Sequence, residues 1–112
     1  MSDKDNNCLL SIIDAINRIE NYCKDFDNAD LFYNDDKSFD AALMNFVVIG
    51  EMVNKLSEEF TSNNSFIDWL RVKDFRNIIA HNYFGIDAEE VWQIINDDLP
   101  KLKEDINSIF KL

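Results

Sequence analysis

The chain has 112 residues, 46% of them apolar, with a formal net charge of −11 and a pI near 4.3. That length holds one core and therefore one domain, spanning residues 1–112. The charge excludes broad electrostatic binding to nucleic acid or anionic membrane, while leaving room for a small site of locally different charge or a basic partner.

Two glycines and one proline are too few turn residues for a many-stranded fold, so the composition predicts an all-α, up-down bundle of four to five helices. No apolar run approaches the roughly 18 residues needed to span a bilayer. Met1 to Asn7 is polar and lacks a signal-peptide pattern, so a cytoplasmic protein is expected.

The first helix is predicted from Asn7 to Phe26, where Leu9, Ile12, Ile13, Ile16, Ile19, Cys23 and Phe26 recur three or four apart. Cys8 and Cys23 lie about 22 Å apart on such a helix at ~1.5 Å per residue, which excludes a bond between them. Both read as small apolar residues. Asp27-Asn28-Ala29-Asp30 reads as an exit and loop.

A second helix is predicted from Ser38 to Phe60, with a stripe of Phe39, Leu43, Phe46, Val47, Ile49, Val53, Leu56 and Phe60. Gly50 lies inside it. Close approach of another helix and simple tolerance explain that glycine equally well. Thr61-Ser62-Asn63-Asn64-Ser65 reads as a helix–helix loop. A third helix is predicted from Asp68, a candidate cap, to Phe84, with Val72, Phe75, Ile78 and Ile79 inward. Gly85 fits its stop. Asp87 caps a fourth helix carrying Val91, Trp92, Ile94, Ile95 and Leu99, with Glu90 placed for a capping box. Pro100 opens a last helix carrying Leu102, Ile106, Ile109 and Phe110.

The third helix carries the candidate chemistry. His81 is the single histidine of the chain. At ~100° per residue, Arg76 and Tyr83 share one face, while Asn77, His81 and Phe84 form a second line. Arg76 and His81 are about 140° apart and do not easily meet on one straight helix. Either the long side chains converge at a frayed helix end, or two copies packed about a two-fold axis bring Arg76 of one near His81 of the other, and the geometry favours the second, a homodimeric site.

Such a set suits phosphodiester cleavage in RNA. A histidine titrates near neutral pH and serves as base or acid. An arginine is always cationic, and its planar fork fits a phosphate. Asn77 could orient either group, and no metal or other cofactor is required. The residues alone leave plainer roles open. His81 could cap carbonyls or sit half-buried, and Arg76 could pair with Asp74 or another carboxylate. Asp35-Asp36 and Asp97-Asp98 read as solvated faces rather than metal ligands. No phosphate-binding glycine loop, zinc spacing or nucleophile elbow is present.

Over nearly its whole length the chain resembles the HepT-like ribonuclease toxins of the HEPN superfamily. The likeness rests on Ile16 to Tyr22, Val48-Ile49-Gly50-Glu51, Ile67-Asp68-Trp69, the run Arg76-Asn77-Ile78-Ile79-Ala80-His81-Asn82-Tyr83-Phe84-Gly85-Ile86-Asp87, Val91-Trp92 and Asp98-Leu99-Pro100. Its most specific part is R-x-x-x-x-H-x-Y followed by F-G-I-D.

The resemblance implies an all-helical homodimer with Arg76 and His81 forming a metal-independent ribonuclease site in the dimer cleft. It also implies that a cognate nucleotidyltransferase antitoxin adds AMP to Tyr83 and silences the toxin. Glu51 falls at the family's Gly-Glu pair, where it would orient a site residue. Asn82 stands where many relatives carry Asp. Arg71, Lys73 and Arg76 make the segment from Asp68 to Phe84 locally the least acidic. A non-catalytic HEPN dimer that binds a nucleotide or a partner protein is the alternative. A purely structural helical dimer would instead have Arg76 and His81 paired away inside the fold.

Overall fold

The computed structural model describes residues 1–82 and 87–110, and among these no side chain is described at 78 or 80–82. The expected stop at Gly85 and the positions of Tyr83 and Phe84 lie outside the described residues. Those described are helical in every element and include no strand.

Helix α1 runs from Asp3 to Cys23, earlier than the apolar stripe suggests, because the Asp5 N–H donates to the Ser2 side chain and starts it there. It buries Leu9, Ile12, Ile16 and Ile19. Both cysteines are buried on it, and burial pushes the Cys23 thiol up from its ordinary value. Residues first read as a loop begin a five-residue helix, α2 (Ala29–Tyr33), capped by Asn28. Its Phe32 is fully buried and meets Phe26, Phe39 and Trp92 with ring centroids 5.2–5.8 Å apart.

Helix α3 (Asp36–Lys55) packs against both α1 and α5. The Asp35 side chain caps it by accepting from the Ser38 N–H. The predicted continuation to Phe60 does not occur. Leu56 is extended at φ −62°, ψ 142°, and a separate helix α4 (Glu58–Asn63) follows. Part of the expected loop at Thr61–Asn63 therefore belongs to α4.

The break has a distant cause. Asp5 at the start of α1 accepts hydrogen bonds from the Ser57 N–H at 2.8 Å and the Ser57 hydroxyl at 2.7 Å. That hydroxyl in turn accepts from the Phe60 N–H and caps α4. Burial pushes the Asp5 carboxyl up. The hydrogen bonds from Ser57 and Ser2 outweigh it and leave the group below the usual carboxylate range.

Helix α5 (Trp69–Asn82) starts where Asp68 accepts from the Arg71 N–H, as its sequence predicts. Val72, Phe75 and Ile79 point inward, and Phe75 meets Phe46 of α3 edge-on at 5.9 Å.

Helix α6 (Ala88–Gln93) is capped by Asp87 and leads into a π turn over Ile94–Asp98. Helix α7 (Leu99–Phe110) follows directly. In the π turn the Leu99 N–H reaches back to the Ile94 carbonyl. Pro100 has no N–H, and in a regular helix its ring would press on the carbonyl four residues earlier. The widened turn lies at just that point and fits the proline into an otherwise unbroken helix. No helix among the described residues is long and apolar enough to cross a membrane.

Candidate nucleic-acid site

The site is built on the α3–α5 contact. A Cβ placed on Gly50 would lie 2.9 Å from the Arg76 Cβ and 3.6 Å from the Lys73 carbonyl oxygen. Close approach of a second helix therefore explains this glycine. α5 sits on α3 through the space that a side chain at position 50 would fill.

That approach sets Arg76 beside the next residue of α3. The Arg76 Nη1 lies 2.8 Å from the Glu51 Oε1, with the arginine side chain 57% exposed. An exposed pair of this kind contributes only about 0–1 kcal/mol to stability. Its larger effect is geometric, because it fixes the direction of a long, rotamer-rich side chain. A single N–O contact leaves other N–H groups of the fork to meet an anion.

The sequence-level candidate Asp74 is not the partner of Arg76. It accepts instead from Asn77, Nδ2 to Oδ1 at 3.3 Å. Asn77 is exposed and turned to its own helix neighbour, so the described contacts do not join it to Arg76. His81 lies in the last turn of α5, four residues after Asn77, and its side chain is outside the described set. The structure thus brings Arg76 and Glu51 together and holds Asn77 on Asp74.

Arg71, one of the cations that make this segment the least acidic, has another task. Its Nη2 lies 2.8 Å from Asp98 Oδ2, and its guanidinium sits 5.7 Å from the centre of the Phe75 ring. It ties α5 to the π turn. The paired acids of the sequence divide in the same way, with Asp35 used as a cap and Asp98 in this ion pair.

Sequence reasoning left the use of Gly50 undecided and missed the Arg71–Asp98 tie. Glycine inside a strong apolar stripe was the available signal for the first. The second joins residues 27 apart and had none.

The arrangement offers an oriented, solvent-facing guanidinium five residues before a histidine position on the same helix. Known proteins place this geometry in context. A family model described as ribonuclease HepT-like matches residues 12–109. A Methanocaldococcus jannaschii protein, named as a gamma-glutamylcyclotransferase and candidate RNase, is 34% identical over 103 residues, 92% of this chain and 46% of that protein. A second protein of that organism, named as a candidate RNase, is 29% identical over 101 residues, 90% of this chain and 92% of its own. A probable ribonuclease HepT from Thermococcus cleftensis is 30% identical over 95 residues, 85% of this chain and 86% of its own. The chain thus spans about half of the first relative and most of the other two. No solved structure matches the chain.

Proposed function

Since the chain belongs to the HepT-like ribonuclease family, we propose that it is a metal-independent endoribonuclease toxin acting as a homodimer in the cytoplasm. The observation that carries this reading is Arg76, held by Glu51 and turned to solvent on the helix that also bears His81.

The RNA 2′-oxygen attacks the adjacent phosphorus while His81 takes its proton. The bond to the 5′-oxygen breaks, that oxygen is protonated, and a cyclic phosphate and a free 5′-hydroxyl result. Arg76 offsets the negative charge that builds on the phosphate oxygens during the exchange. Because positions 76 and 81 lie about 140° apart around one helix at ~100° per residue, the full set is assembled from two copies of α5. In this reading Asn77, whose described contact is to Asp74, is a supporting residue.

The regulatory half of the reading rests on Tyr83. A cognate nucleotidyltransferase antitoxin joins the Tyr83 oxygen to the α-phosphorus of ATP, with pyrophosphate leaving. The added anion, seven residues from Arg76 in sequence, competes with RNA for it. The two proteins form a toxin–antitoxin pair.

His81→Ala is expected to abolish RNA cleavage while leaving the thermal melt and the dimer mass unchanged. Intact cleavage in that variant overturns the catalytic assignment. In protein co-expressed with the nucleotidyltransferase, intact mass is expected to rise in steps of one AMP, lost in Tyr83→Phe.

A second reading, a non-catalytic dimer that binds a nucleotide or partner protein, draws on the same Arg76–Glu51 contact, which occupies the arginine before any RNA arrives. It predicts no RNA degradation by unmodified protein.

A further inference from the structure

Two large apolar side chains stand open where α5 begins. Phe66, in the link that precedes it, is 57% exposed, and Leu70, in its first turn, is 72% exposed. Open apolar groups of this size offer contact area to a ligand. The register of α5 connects them to the candidate site. At ~100° per residue, Leu70, Asn77 and position 81 fall within about 40° of one another, and Lys73 lies about 60° from Leu70 on the same outward side.

Charge selects the occupant. The segment 68–84 carries a net +1 in a chain of −11. Arg71 is held by Asp98 and Arg76 by Glu51, whereas exposed Lys73 has no carboxylate partner among the described residues. The two acids of this stretch are engaged locally, Asp68 by the Arg71 N–H and Asp74 by Asn77. The shallow groove at Phe66 is lined by the hydroxyl residues Thr61, Ser62 and Ser65 together with Ile67, Trp69 and the N-capping Asp68. An open aromatic ring, a hydroxyl-lined groove and a solvent-facing ammonium suit a flexible polyanion that carries its own aromatic faces.

We propose that single-stranded RNA lies along the outward face of α5, with a base stacked on Phe66 and a phosphate at Lys73. The strand then leads toward the position of His81, so that these two residues position the phosphodiester to be cut. The ligand assignment rests on the ribonuclease reading above.

The test uses a fluorescein-labelled 2′-O-methyl oligonucleotide of mixed sequence, which cannot be cleaved because the attacking hydroxyl is blocked. Binding is read by anisotropy on the full chain. Phe66→Ala is expected to weaken affinity about five- to a hundred-fold, the loss of one stacked base. Phe66→Leu, which keeps apolar bulk without the ring, is expected to fold normally and bind as weakly. Lys73→Gln is expected to reduce the slope of log affinity against log salt by about 0.7.

Wild-type affinity in all three variants, or no binding by the wild type, overturns the proposal. So does a change of dimer mass in Leu70→Ala with oligonucleotide binding intact, which marks the face as a protein interface. RNA cleavage measured in parallel separates the two readings. Cleavage with unaltered binding in the variants rejects the track alone, and altered binding without wild-type cleavage rejects the ribonuclease reading alone.

Discussion

Arg76 owes its direction to Glu51 at 2.8 Å, a contact too exposed to matter much for stability. Glu51→Gln tests what the contact is for. The amide keeps the volume and one acceptor oxygen but removes the charge that fixes the guanidinium. Misplacement of a catalytic group by about 1 Å can cost on the order of 10²-fold. With an acceptor retained, the expected outcome is roughly a tenfold fall in kcat for RNA cleavage. The free energy of unfolding from chemical denaturation is expected to change by less than about 1 kcal/mol. A fall in stability with kcat unchanged would instead make the pair a structural link.

At the scale of elements, the contact between α3 and α5 is set by an absent side chain. Gly50→Ala gains about 1 kcal/mol in helix propensity. It also drives a methyl group to 2.9 Å from the Arg76 Cβ, and overpacking of this kind costs about 1–3 kcal/mol. The expected result is a net loss in denaturation free energy and a slower cleavage rate, because α5 and Arg76 move together. An alanine variant that is as stable and as active as wild type would show that the helix gives way cheaply.

The long helices were legible because their apolar stripes repeat at helical spacing. Asp68 and Asp87 cap α5 and α6 where the capping pattern places them. The division between α3 and α4 was not legible. Val53, Leu56 and Phe60 keep the same spacing through the break, since both helices face one core. Its cause lies 52 residues away in Asp5. α2, at five residues, is shorter than the window in which a period shows, although Asn28 is a sound cap. Arg76 stands out as a candidate only within its motif. Its partner sits on another helix, where no local spacing points to it.

For the molecule as a whole, the Asp5–Ser57 clasp joins the start of the chain to its middle. The folded carboxyl titrates below its ordinary value despite burial, so it favours the native state once ionised. Its contribution is complete above the ordinary carboxylate range and is lost as pH falls through the lowered folded value. Asp5→Ala leaves the Ser57 N–H and hydroxyl without their partner and is expected to cost about 1–3 kcal/mol at neutral pH. The gap in melting temperature between wild type and variant is expected to narrow as pH falls from about 7 toward 3. Comparing the two chains cancels the general relief of repulsion that acid brings to a protein of −11. A gap that stays constant with pH would remove ionisation from the account.

The π turn at Ile94–Asp98 has the character of a phase adjustment. One additional residue per turn is housed inside a helix rather than in a loop. It turns everything after it by about 100° relative to a regular continuation. The face that α6 offers to α2 and the face that α7 offers to α1 are thereby set separately, although no loop divides them. Closing this turn to a regular α-helix without a change of length would rotate Leu102 and Ile106 off the core they now fill. Along these positions the turn takes up a residue, and the phase of the helix is the quantity that the fold keeps.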